Sequence, residues 1–312
     1  MIYRRRVFIL TFTGICVSLL AVMENSRNNS GAAFSGLLYG LAVLFTLLLA
    51  VLFSFISSAF GIEKDSYLFF TLNYLVSPIA LFTIILCVKR YTGTPLKTLL
   101  RVNKPPILFL GLAVLLPFSV LFGFGTLNGY VQELGKILGL NVPNNSIPLN
   151  GVFDYLFFTF LICLLPAAIE EAFFRGVLLK FLDKSGEIVS AFTVGLCFAL
   201  FHFSLFSFVY QFIFGVILGI LSLRSKSIFP GFIAHFLNNF INLSILYFNF
   251  SIDFYSPIII SAGVLVTVFC LVIAFRGKTK PNYKESVRGF YIPFGIVGMA
   301  AAIITAILGA IV

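Results

Sequence analysis

Residues 155–179 read YLFFTFLICLLPAAIEEAFFRGVLL, and Glu170, Glu171 and Arg175 are their only charged side chains. The length fits the roughly 17–25 residues that a helix needs to cross a bilayer. The stretch therefore predicts a membrane helix with two carboxylates placed inside it. The surrounding chain is of the same kind. Of its 312 residues, 60% are hydrophobic and 10% charged, and the mean hydropathy is +1.08. Soluble domains carry about 25% charged residues, so a soluble globular protein is excluded. Nine further apolar runs flank the first: Val7–Met23, Ala32–Ile62, Tyr67–Val88, Ile107–Phe124, Ile188–Leu205, Val209–Leu223, Ile228–Phe248, Pro257–Phe275 and Tyr291–Val312. The expected fold is all-α, a polytopic transmembrane helix bundle of about 8–10 membrane helices. Ala32–Ile62 is long for one helix and too short for two, and Val209–Leu223 is short.

Lys and Arg number 21 against 11 Asp and Glu, a formal +10. The cations lie in short clusters between the apolar runs: Lys89 to Lys104, Lys180/Lys184, Arg224/Lys226 and Arg276 to Arg288. Such spacing suits loops beside an anionic membrane surface and not a nucleic-acid face. Counting crossings from residue 107 puts all four clusters on one side, taken as cytoplasmic. Gly125–Gly151 and Asn249–Ser256 then become outer loops. Arg4–Arg6 do not fit, since three runs separate them from the Lys89 cluster. The five cysteines all lie in apolar runs without CxxC or CxxH spacing, which indicates neither disulfides nor thiolate metal sites. The chain divides into accessory helices over 1–106, a core over 107–248 and C-terminal helices over 249–312.

Nine of the eleven acidic residues lie in loops or at run ends, and Glu170 and Glu171 do not. Both histidines, His202 and His235, are also within apolar runs. Ionisable groups at that depth cost several kcal/mol by some scales and more by others, so each is a functional candidate. Helical spacing pairs Glu171 with Arg175 one turn on and leaves Glu170 without a sequence-local partner. A carboxylate in that position is free to take a proton from water. Phe198 and His202 share a helix face, as do His235 and Asn239. At about 1.5 Å per residue, Glu170, His202, His235 and Asn239 lie about 10–20 Å from the basic loops and can converge.

The succession Glu-Glu-x-x-x-Arg, Phe-x-x-x-His and His-x-x-x-Asn on separate apolar helices resembles the CAAX-protease and bacteriocin-processing (CPBP or Abi) family of intramembrane endopeptidases. The likeness covers Glu170 to Asn239. It implies that Glu170 and His202 activate a water for attack on a peptide carbonyl, and that His235 and Asn239 stabilise the oxyanion. Glu171, Arg175 and Phe198 become supporting residues. The implied substrate is a membrane-associated peptide or protein, with the lipid bilayer as the other partner and no nucleic acid. The family processes CAAX proteins in eukaryotes and serves peptide maturation or bacteriocin immunity in bacteria. The chain's size suits a bacterial inner membrane.

Other readings exist. Glu171–Arg175 alone could be a plain intramembrane ion pair, which leaves Glu170 unexplained. His235 and Asn239 could be interhelical hydrogen-bond glue. No cofactor is expected, although Glu170, His202 and His235 match the ligand types of a zinc protease. Against that, no HExxH is present. A non-catalytic scaffold or bacteriocin-immunity factor is the alternative function. A transporter would spread its charged groups through the bilayer depth and show inverted repeats, and this sequence does neither. Hydrolysis needs water, so a cavity opening toward the cytoplasmic side is expected, with Lys180, Lys184, Arg224 and Lys226 at its rim.

Overall fold

The computed structural model describes residues 31–142, 147–276, 286–291 and 295–311. Val7–Met23, Arg4–Arg6 and the lysines at 278, 280 and 284 lie outside these. The helices are α1 (Gly31–Ala59), α2 (Tyr67–Thr92), α3 (Ile107–Phe124), α4 (Thr126–Ile137), α5 (Val152–Ser185), α6 (Glu187–Phe201), α7 (Phe208–Ser225), α8 (Phe229–Tyr247), α9 (Pro257–Phe275) and α10 (Ile296–Ile311). No strand occurs among the described residues. Six spans are long and apolar enough to cross a membrane: α1, α2, α3 continued into α4, α5, α7 and α9. α6 and α10 are apolar but shorter. The chain is an integral membrane protein with an all-α polytopic fold.

The uncertain long run resolves as one helix, since α1 continues unbroken for 29 residues. Ser66 then starts α2 by accepting a hydrogen bond at Oγ from the Phe69 N–H. Gly93 ends α2 in the left-handed region at φ 66°.

The expected outer loop Gly125–Gly151 contains a helix, α4. Its apolar residues Leu127, Tyr130, Val131, Leu134 and Ile137 recur at helical spacing, while Glu133 and Lys136 pair at 2.6 Å. α4 lies over the turn between α6 and α7, with the Phe206 ring against Gly135.

Three of the basic clusters meet at one end of the bundle. Arg101 reaches Asp183 at 3.0 Å and the Leu179 carbonyl at 3.2 Å. Lys180 donates to the Thr98 carbonyl at 2.9 Å, and Asn103 donates to the Lys226 carbonyl at 2.8 Å. Burial draws the Arg101 guanidinium below its usual pKa, and Asp183 opposes that shift. Arg224 pairs with Glu187 and lies 4.3 Å from the Phe275 ring centre, which brings the end of α9 to the same side. The opposite end holds Tyr67 bonded to Asp154, Tyr130 edge-on to Tyr255, and Tyr155 stacked on Tyr247. With no Trp in the chain, Tyr supplies the aromatic residues of that end.

Candidate active site

α5 is not a uniform helix. Thr159–Leu164 and Ala172–Leu178 are π-helical, and Leu165–Glu171 between them is α-helical. Such π stretches inside helices are frequent at functional sites. Both glutamates sit at the end of the central α segment. Pro166 has no N–H to offer the Ile162 carbonyl four residues back. That carbonyl instead accepts from Asn239 Nδ2 of α8 at 3.3 Å.

Glu171 and Arg175 are both fully buried. Arg175 Nη1 donates to Glu171 Oε1 at 2.7 Å, and Nη2 donates to the Gly215 carbonyl at 2.9 Å. The guanidinium also stands 4.5 Å from the Phe198 ring centre. The same Glu171 Oε1 accepts from His235 Nδ1 at 3.0 Å. Glu171 therefore joins α5 to α8 as well as pairing along its own helix. Gly231 makes room for this, since a Cβ there would lie 2.7 Å from Glu171 Oε2.

His202 caps α6 and holds its ring through Nδ1, 2.8 Å from the Phe198 carbonyl. A carbonyl only accepts, so Nδ1 carries the hydrogen and the neutral ring keeps its lone pair on Nε2. Phe198 stands edge-on to both histidines, with ring centres at 4.7 Å from His202 and 5.4 Å from His235. The residue after His202, Phe203, has φ 49°, a left-handed conformation costing on the order of 1–3 kcal/mol for a bulky side chain. That strain is held beside His202.

Asn239 is oriented by a relay. Tyr210 donates to Asn238 Oδ1, and Asn238 Nδ2 donates to Asn239 Oδ1 at 3.3 Å. With its oxygen so engaged, Asn239 presents its N–H groups to Ile162 and to the cavity.

Glu170 is 6% exposed, and its Oε2 is buried with no hydrogen-bond partner among the described residues. Glu170, His202, His235 and Asn239 all line one cavity of about 440 Å³. The structure thus brings together the four residues expected to act and keeps Glu171 and Arg175 behind them. Among the described residues, no three His, Cys, Asp or Glu side chains gather closely enough to hold a metal ion, and this includes Glu170, His202 and His235.

The expected rim is corrected. Lys180, Lys184, Arg224 and Lys226 line no part of this cavity, because they belong to the knitted basic end. The lining runs instead to Ile147 and Leu246, at the opposite end of the bundle. Sequence reasoning also missed Asn73 and Ser77 on α2, Gln211 on α7 and Asn242 on α8, all in the lining. Their signal was present as neutral polar side chains inside apolar runs.

Residues 152–241 match the family model described as Type II CAAX prenyl endopeptidase Rce1-like. No curated protein and no solved structure matches the chain. The match begins with α5 and ends just past Asn239, so it covers the segments of α5, α6 and α8 that carry Glu170, His202, His235 and Asn239. Over these residues the chain is similar to the Rce1-like type II CAAX prenyl endopeptidases.

Proposed function

We propose that the chain is an intramembrane endopeptidase that hydrolyses a peptide bond in a membrane-associated peptide or protein through an activated water. The observation that carries this is Glu170: a buried carboxylate oxygen with no hydrogen-bond partner among the described residues, on the wall of a cavity shared with His202, His235 and Asn239. Glu170 takes the proton of a water that also bonds the free Nε2 of His202. The hydroxide adds to the scissile carbonyl. Asn239 Nδ2 donates to the developing oxyanion, with the His235 ring beside it as the second stabilising group. The proton held by Glu170 then passes to the leaving amine, and the peptide bond breaks.

Glu171 acts through other groups in this scheme. It fixes the His235 ring through Nδ1 and is itself fixed by Arg175. No step requires a bound cofactor. The proposed setting is a bacterial cytoplasmic membrane.

The test uses purified full-length protein and a library of membrane-associated peptides. Wild type is expected to cleave a subset, and Glu170→Ala none. If wild type cleaves nothing, the non-catalytic scaffold or bacteriocin-immunity reading takes its place.

A further inference from the structure

A second cavity of about 340 Å³ adjoins the first, and the two share four lining residues: Asn73, Ser77, Glu170 and His202. The proposed water-activating pair therefore stands at a neck between two chambers, opposite two polar residues of α2. α2 lies outside the matched residues 152–241. The chambers differ in character. The first carries side-chain amides, Gln211, Asn239 and Asn242. Beyond the shared residues, the second is walled by Leu47, Ala50, Val76, Phe201 and Phe203, with the hydroxyls of Thr46 and Thr305 and no amide. Neither is lined by a Lys or Arg among the described residues.

Resting on the protease reading, we infer that Asn73 and Ser77 are positioning residues for the substrate backbone. An extended, uncharged peptide threads the neck, with its flanking residues in separate chambers and its scissile bond against Glu170 and His202. Asn73 is suited to this role. Its Nδ2 donates to the Phe69 carbonyl of its own helix at 2.9 Å, which fixes the amide and leaves Oδ1 to accept a substrate N–H. Serine one turn on supplies a hydroxyl that both donates and accepts. The absence of a lining cation beside Glu170 disfavours a substrate carboxylate at the neck.

The experiment compares wild type, Asn73→Ala and Ser77→Ala on one neutral peptide and on its ester analogue, in which a backbone N–H next to the scissile bond is replaced by oxygen. Among the described residues Asn73 bonds only its own helix backbone, and alanine is a better helix former, so Asn73→Ala is expected to fold. Loss of one neutral hydrogen bond is expected to raise KM about 3- to 10-fold with kcat within about twofold. The ester is expected to cost wild type a similar factor and to cost Asn73→Ala nothing further. A fall in kcat at unchanged KM, or an ester penalty that persists undiminished in both alanine variants, would overturn the inference. Failure of wild type to cleave any peptide would instead overturn the protease reading beneath it.

Discussion

Glu171 has two partners, and only one was legible in the sequence. Its pairing with Arg175 follows from i,i+4 spacing on one helix. Its bond to His235 joins residues 64 apart, and no local pattern encodes that. The contrast with Glu170 yields a stability prediction. Glu171→Gln leaves a fully buried guanidinium without its counter-charge, a loss of about 3–5 kcal/mol. Glu170→Gln removes a charge whose Oε2 has no hydrogen-bond partner among the described residues. A clear drop in Tm in detergent is therefore expected for Glu171→Gln and almost none for Glu170→Gln. Equal drops would show that the carboxylates share the structural role. A second prediction concerns Pro166. In Pro166→Ala the new N–H competes for the Ile162 carbonyl and frees Asn239 Nδ2 from it. A severalfold fall in kcat without loss of Tm is expected from steady-state cleavage assays, and unchanged kcat would separate that carbonyl from the orientation of Asn239.

At the scale of elements, apolar run length predicted most helices because lipid rewards uninterrupted apolarity and internal backbone pairing. It failed for α4, whose polar face interrupts the run while its apolar stripe keeps the helical period. It also gave no warning of the π stretches on either side of the Pro166 segment in α5. The α6–α7 hairpin depends on a close approach at Gly195 and Gly215. A Cβ on Gly195 would lie 2.7 Å from the Val216 backbone nitrogen, and this approach is what carries the Gly215 carbonyl to Arg175. Gly195→Val is expected to give little monodisperse protein on size exclusion. Gly219→Ala, where the nearest atom is 3.2 Å away, is expected to be tolerated. Similar yields for both would remove the hairpin contact from the account.

At the scale of the molecule, two expectations from the sequence exclude each other. The basic loops and the cavity lining that reaches Ile147 and Leu246 lie at opposite ends. The positive-inside rule expects the basic end in the cytoplasm, and on that expectation the cavity lies toward the outer half. In a background without native cysteines, Leu246→Cys is expected to react with an impermeant maleimide from outside intact cells. Lys226→Cys is expected to react only after permeabilisation. The reverse pattern would place the basic loops outside and return the cavity to the cytoplasmic side. The four candidate residues were legible because ionisable groups are so costly in lipid that few are present to choose among. The neutral polar lining was not, since Asn73, Ser77 and Asn242 resemble the packing residues of any membrane bundle.

The central claim is that Glu170 and His202 act on one water. It is tested most directly by kcat for Glu170→Gln, His202→Gln and the double variant on a single cleaved peptide, with each protein shown to be monodisperse. Groups that work as a unit are strongly non-additive. Each single variant is expected to fall close to background, and the double variant to be no slower than the worse single one. Full activity in Glu170→Gln, or losses that multiply in the double variant, would contradict the account.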